Sequence, residues 1–227
     1  MTESEWLACT DLYTMLEFLR YRVSDRKLRF FACACSRRIW PLLAQREYQE
    51  AVETGERYAD GQATEEQIQE ARGRAHDVYW DCWKGGSRRL PPEEMISHPQ
   101  KYIVVYAAIT NEGLRNWSFL TAREWVRSSA PDVEPAQCGI LREVVGNPFR
   151  PVALNRVWRT PTVTALATAA YDDRILPAGH LDPDQLAILA DALEDAGCDN
   201  ADMLDHCRSA GPHVRGCWVV DLVLSKS

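Results

Sequence analysis

Apolar residues recur at helical spacing along most of this chain, and residues that start helices precede many of these runs. After Asp11, apolar residues follow at i, i+3, i+4 and i+7: Leu12, Met15, Leu16 and Leu19. This spacing places them on one face of a helix. Ser24 opens a second such run, which continues until Pro41 interrupts it. A chain built from segments of this kind is predicted to pack helix against helix.

Further helix starts are recognisable from capping residues. Capping boxes are formed by Thr2–Glu5 and Thr64–Gln67, and a cap followed by proline occurs at Thr160-Pro161 and at Asp182-Pro183. The pattern predicts further helices over residues 100–128, 140–145, 201–208 and 214–226, and the pair Gly85-Gly86 is predicted to end the helix that follows Thr64.

These segments predict an all-α protein, a multi-helix bundle with a smaller acidic C-terminal helical region. The Ser- and Pro-rich stretch 128–139 marks the change in charge: residues 1–130 carry 18 Lys and Arg against 19 Asp and Glu, and residues 131–227 carry 8 against 14. We therefore expect an N-terminal bundle over 1–130 and a C-terminal region over 136–227, either as two domains or packed as one.

The net charge and the distribution of apolar residues indicate which kinds of partner and which cell compartment to expect. A net charge of −7 disfavours nucleic acid and anionic membranes, because both require a basic protein surface. The N-terminus lacks a basic segment followed by a continuous apolar run, and no stretch is apolar and long enough to span a bilayer. We expect a cytoplasmic protein whose partner is another protein.

Eight cysteines make the chain rich in thiols, and without an export signal they are expected to stay reduced. They are Cys9, Cys33, Cys35, Cys82, Cys138, Cys198, Cys207 and Cys217. Residues two apart on a helix point in nearly opposite directions, so Cys33 and Cys35 are not expected to hold one ion together.

The stretch HCRSAGPHVRGCW, residues 206–218, combines two histidines and two cysteines. Four ligands of a zinc site could come from the C-terminal region: Cys198, Cys207, His213 and Cys217. Only one of His206 and Cys207 could join, because neighbouring residues of a helix face different ways. The alternative is that the cysteines pack in the core and that residues 211–213 form a turn between helices. This second interpretation predicts no metal, since the spacing lacks the close ligand pairs of ordinary zinc sites.

Motifs of the common catalytic sites are absent from the sequence. It contains no G-x-S-x-G, no GxxxxGK[ST], no G-x-G-x-x-G and no H-E-x-x-H. The sequence therefore predicts a non-catalytic interaction or regulatory module without a cofactor. The second hypothesis is a small structural zinc protein, and the third is an enzyme of unknown class.

The segment Gly146–Pro151, GNPFRP, cannot be helical, because prolines at 148 and 151 exclude it. We predict a rigid strap between the two regions with Phe149 as a buried anchor, whose replacement by alanine would cost about 3–5 kcal/mol.

Several longer stretches together resemble one family. These are EWLACTDLYTMLEFLR, SDRKLRFFACACSRRIW, GNPFRPV, ILADALEDAGCDNADMLDHCR and GPHVRGCWVVDLVL. The chain resembles a large paralogous family of uncharacterised bacterial proteins, best known from planctomycetes. The resemblance implies a cytoplasmic bacterial protein and no particular activity. Ser36 stands where the family often has another cysteine, which argues against a cofactor role for the FACAC segment.

Overall fold

The computed structural model describes residues 1–83, 105–110 and 133–226. The regular secondary structure in these ranges is helical. The α-helices are α1 (Glu3–Ala8), α2 (Leu12–Leu19), α3 (Asp25–Arg38), α4 (Arg46–Ala59), α5 (Glu65–Trp83), α6 (Val133–Val145), α7 (Pro161–Asp172), α8 (Pro183–Asp195), α9 (Ala201–Arg208) and α10 (Trp218–Leu224). Short 3₁₀ helices span Trp40–Leu42 and Arg156–Trp158. Within these ranges no β-strand occurs, and His180 forms isolated bridges with Ile175 and Val214. The all-α class is confirmed.

The predicted helix starts are confirmed by the hydrogen bonds of the capping residues. Asp11 accepts from the backbone of Tyr13, and Thr160 accepts from that of Val163. Both capping boxes form reciprocal bonds: Thr2 with Glu5, and Thr64 with Gln67. Local sequence therefore fixes where these helices begin.

One helix begins earlier than the sequence predicts. Residues 128–139 are expected to be irregular, yet α6 starts at Val133 and includes Pro135. Proline is tolerated in a first helical turn, because the N–H groups there have no acceptor within the helix. Helix α4 is not predicted at all, since its buried face includes small and polar residues such as Ala51, Thr54 and Gly55.

Two other predictions fall largely outside the described residues. Of the helix expected over 100–128, residues 105–109 are described and are helical. The stop at Gly85-Gly86 lies outside them.

The chain folds into two compact units. One unit comprises Cys9–Cys138, here called the N-terminal unit; the other, the C-terminal unit, combines Met1–Ala8 with the residues from Gly139 onward. The sequence assigns the first eight residues to the N-terminal bundle, whereas in the structure they belong with the C-terminal residues.

The N-terminal unit is packed around α3, which is buried over most of its length. Gly55 of α4 allows a close approach, because a Cβ there would lie 2.6 Å from the carbonyl oxygen of Ala108 and 3.3 Å from the sulfur of Cys33. Arg29 donates to the same carbonyl at 3.0 Å. A small residue is thus required at position 55, where α4 lies against Ala108.

The C-terminal unit has its own hydrophobic core. The core is built from the inner faces of α7 to α10: Val163, Ala167, Ala170, Tyr171, Leu181, Leu186, Leu189, Ala190, Leu193, Cys198, Met203, Leu204, Cys207, Cys217, Val219, Val220 and Val223. Among the residues that the structure describes, no helix is both long and apolar enough to cross a membrane.

Helix α1 is tied to the C-terminal unit by its side chains and backbone. Trp6 is fully buried, and Arg142 donates to its carbonyl oxygen at 3.0 and 2.7 Å. The carboxylate of Glu3 accepts from Asn147 at 2.8 Å and pairs with Arg150 at 2.7 Å. The GNPFRP strap is therefore held by polar contacts with α1.

Phe149 is not the buried anchor that the sequence predicts. The exposed fraction of its side chain is 36%. Asn147 explains the geometry, because its side chain accepts from the backbone N–H of Phe149 and closes a local turn, while the polar contacts of Asn147 and Arg150 hold the strap.

Replacing Phe149 by alanine is accordingly expected to cost only about 1–2 kcal/mol of unfolding free energy, because part of the ring already faces solvent. Chemical denaturation measures this cost. Leu189→Ala is the matched control in the same unit, since Leu189 is fully buried and its loss is expected to cost about 2–5 kcal/mol. Equal losses in the two variants would contradict this assignment.

Candidate metal centre

Four side chains that can bind metal converge in the C-terminal unit. They are Glu143 of α6, His206 of α9, His213 of the following loop and Cys217 at the start of α10, and their ligating atoms all lie within 4.8 Å of one another. Three of the four are buried, and His206 is half-buried. Residue 143 and three residues between 206 and 217 thus meet at one point.

The distances are close to the edges of a tetrahedral zinc site. His206 Nε2 lies 3.2 Å from Glu143 Oε2 and 3.2 Å from Cys217 Sγ. His213 Nδ1 lies 3.2 Å from Glu143 Oε1. Metal bonds of about 2.0–2.3 Å at tetrahedral angles place ligand atoms roughly 3.3–3.7 Å apart. Since all four ligating atoms lie within 4.8 Å of one another, side-chain movements of about 1 Å would bring them to zinc-binding geometry.

Ser209 contacts the backbone of His206 and the ring of His213. Its hydroxyl donates to the carbonyl of His206 at 2.8 Å, and its own carbonyl lies 3.0 Å from Nε2 of His213. A proton on Nε2 satisfies that contact, and Nδ1 can then direct its lone pair at a metal ion held between it and Glu143. Histidines that bind metal commonly donate their other N–H in this way, which fixes the tautomer.

The turn between α9 and α10 requires glycine at 211. Gly211 has a φ of +86°, and a Cβ there would lie 2.7 Å from the backbone nitrogen of His213 and 3.2 Å from its ring carbon Cδ2. The left-handed conformation and the close approach both favour glycine. This residue therefore sets the position of the His213 ring.

Electrostatics hold the carboxylate charged. Burial by itself raises the pKa of Glu143, but hydrogen bonds and charge interactions with His206 and His213 outweigh it and lower the pKa to about 2. For His213, burial lowers the pKa, and the hydrogen bond and charge of Glu143 raise it above its ordinary value. The buried pair is thereby compensated.

The surroundings of Cys217 favour its neutral form, whereas those of Glu143 favour the charged form. Burial raises the pKa of Cys217 well above its usual range, and the charge of Glu143 raises it further. A thiol in this environment stays protonated unless a cation replaces its proton. A bound metal ion supplies that cation, because a coordinating thiol is deprotonated outright.

A cysteine nucleophile fits this geometry poorly. In a Cys–His–carboxylate triad, the thiol and the carboxylate contact opposite nitrogens of the imidazole. Here Cys217 and Glu143 both approach Nε2 of His206. The group therefore lacks the order of contacts that a catalytic triad requires.

The structure brings together part of the sequence-predicted zinc set. His213 and Cys217 belong to the converging group, whereas Cys198 and Cys207 do not lie in that group or in another one within the described residues. Both cysteines are buried in the core of the unit, and burial raises the pKa of Cys207 to about 12. None of the eight cysteines forms a disulfide.

Glu143 is the ligand that sequence reasoning missed. It precedes His206 by more than sixty residues, so no spacing connects the two. One signal was available: Glu143 lies three residues after Ile140 and one before Val144, both of which are buried. A charged residue on an apolar helical stripe indicates a buried partner or ion.

No protein-family model, curated protein or solved structure matches this chain. The resemblance to the planctomycete family stays a prediction.

Replacing Gly211 by alanine is expected to weaken metal binding by about 10–100-fold, the usual effect of disturbing a group that orients a ligand. Isothermal titration calorimetry with zinc measures this affinity. Gly197→Ala is the matched control: Gly197 also has a positive φ, of +85°, but a Cβ there would meet nothing within 4 Å. Equal zinc affinities of the two variants would show that Gly211 does not position His213.

Proposed function

We propose that the protein binds one zinc ion through Glu143, His206, His213 and Cys217, and that this ion is structural. The convergence of the four ligating atoms within 4.8 Å carries the proposal. One sulfur, two imidazole nitrogens and one carboxylate oxygen form a donor set that suits zinc, because thiolate and imidazole disfavour magnesium and calcium.

The number of ligands supports a structural role. Catalytic zinc sites keep a coordination position open, with three protein ligands and a water or substrate, whereas structural sites use four protein ligands. Trp218 packs on one side of the centre, with its ring 5.2 Å from that of His206. An apolar neighbour of this kind limits the access of solvent to the site.

The experiment is elemental analysis of the purified protein, and the expected result is about one zinc per chain. Cobalt substitution adds a second readout, since coordination by Cys217 produces a sulfur-to-cobalt charge-transfer band. Cys217→Ser and Glu143→Gln are expected to lose the metal. A protein that binds no zinc when refolded with excess zinc would overturn the proposal.

Two control variants separate this ligand set from the one that the sequence alone suggests. Cys198→Ala and Cys207→Ala remove buried thiols outside the converging group and are expected to retain zinc. Loss of zinc in these variants, with retention in Glu143→Gln, would favour Cys198, Cys207, His213 and Cys217 as the ligands.

The expectation that the protein acts as an interaction or regulatory module stays a prediction. A structural zinc ion is compatible with it, because such ions commonly stabilise small scaffolds rather than perform chemistry. Capture of a protein partner by the zinc-loaded chain tests it.

A further inference from the structure

The C-terminal unit contains an open cavity of about 680 Å³ that is distinct from the metal centre. It is lined by Leu154, Arg156, Arg159, Asp221, Leu222, Ser225 and Lys226. None of the four proposed metal ligands belongs to this lining. Three cationic side chains therefore face one carboxylate in a region where acidic residues outnumber basic ones.

Two of the arginines lack protein partners within the described residues. The side chains of Arg156 and Arg159 are exposed and form no hydrogen bond or ion pair there. Arginines elsewhere in the unit are engaged: Arg142 holds the Trp6 carbonyl, Arg208 pairs with two carboxylates, and Arg215 lies over Tyr171. The two guanidinium groups at the cavity are available to a ligand.

The backbone holds the two arginines in one turn. Asn155 accepts from the N–H of Val157 and caps the 3₁₀ helix Arg156–Trp158. Trp158 packs against the core of the unit. Arg159 follows this helix directly, its backbone N–H donates to the carbonyl of Arg156 at 3.2 Å, and both arginines line the cavity. A ligand can contact both without reordering the turn.

The residues at the end of α10 form another part of the cavity lining, and backbone and ring contacts hold them in place. Ser225 ends α10 in a left-handed conformation, and the N–H of Lys226 donates to the carbonyl of Asp221 at 2.8 Å. The ammonium group of Lys226 lies 4.6 Å from the centre of the Tyr171 ring. This contact holds the third cation beside the cavity.

We infer that this cavity binds a small phosphomonoester with an apolar body. Three cations against the single carboxylate of Asp221 leave two positive charges, which match the charge of a phosphomonoester near pH 7. Arginine pairs with phosphate oxygens through two parallel hydrogen bonds. The volume lies within the range of small-molecule sites and exceeds the size of a phosphate ion alone, and Leu154 and Leu222 offer apolar contact to the rest of the ligand.

Titration of the full chain with phenyl phosphate, followed by calorimetry and by amide chemical shifts, tests the inference. We expect saturable binding with shifts at residues 156–159 and 222–226. Inorganic phosphate is expected to bind more weakly, and phenol is expected not to bind. The absence of saturable binding, or shifts confined to other residues, would overturn the inference.

Single substitutions locate the charge contacts. Arg156→Gln and Arg159→Gln are each expected to weaken binding of phenyl phosphate about tenfold, the effect of one charge-assisted contact. Arg46→Gln is the control for net charge, because Arg46 is 85% exposed and lies in the N-terminal unit. Equal weakening in all three variants would show a nonspecific effect of charge and would overturn the site. Retention of zinc in the two cavity variants separates this test from that of the metal centre.

Discussion

Removal of zinc by a chelator is expected to increase hydrogen exchange in α6, α9 and α10 while leaving exchange in α3 and α4 unchanged. The proposed ligands lie in α6, in α9, in the loop that follows it and directly before α10, all within the C-terminal unit. A ligand that binds only the folded state stabilises it by about 4 kcal/mol when its free concentration is about a thousand times its dissociation constant. Hydrogen exchange measured by mass spectrometry on the full chain resolves the two units without separating them.

Cys217→Ser is expected to reproduce the exchange pattern of the chelated protein without a chelator. Cys207→Ala is its control, because Cys207 is also fully buried but lies outside the converging group. It is expected to respond to chelation as the unsubstituted chain does. Identical exchange of the unsubstituted chain with and without the chelator would show that no structural ion stabilises these helices.

Glu56→Gln is expected to destabilise the N-terminal unit by about 3–5 kcal/mol, because it leaves a buried guanidinium without its counter-charge. Arg37 Nε lies 2.6 Å from one oxygen of Glu56, and Nη2 lies 2.8 Å from the other. The side chains are only 3% and 4% exposed. Burial lowers the pKa of Arg37, but the hydrogen bond and charge of Glu56 outweigh it and raise the pKa, so the arginine stays charged.

Glu17→Gln provides the comparison for this effect. Glu17 pairs with Arg20 at 3.4 Å, and both side chains are about half exposed, at 45% and 46%. The loss of such a surface pair is expected to cost less than about 1 kcal/mol. Chemical denaturation measures both variants. A cost for Glu56→Gln as small as that of Glu17→Gln would contradict the assignment of a buried, charged pair.

A double variant separates the charge pair from the packing around it. Arg37→Met combined with Glu56→Leu removes both charges and keeps apolar volume. It is expected to be more stable than Glu56→Gln alone, because two paired charges can often be replaced together without loss. A double variant that is less stable than the single one would assign the effect to lost packing.

Helix starts were predictable because they are local. Asp11, Ser24, Thr160 and the two capping boxes act on N–H groups two or three residues away, so short spacings in the sequence carry the information. Pro135 misled the same reasoning, since its effect depends on whether it stands in the first turn or the interior of a helix.

Only half of the candidate site was predictable, because its four residues come together through contacts that are distant in the sequence. His213 and Cys217 lie four residues apart and attract notice together, and the structure places both at the centre. Glu143 and the choice of His206 over Cys207 depend on which face of α9 turns toward α6. Tertiary packing sets that rotation, and spacing along the sequence does not contain it.

The grouping of α1 with residues from the far end of the chain has a consequence for synthesis on the ribosome. Residues 1–8 are made before their partners Arg142, Asn147 and Arg150, which follow more than 130 residues later. At roughly 5–20 residues per second, α1 waits about 7–29 s for them. During this interval Trp6 lacks the residues that bury it, and the C-terminal unit can close only after the residues from Gly139 onward have been made.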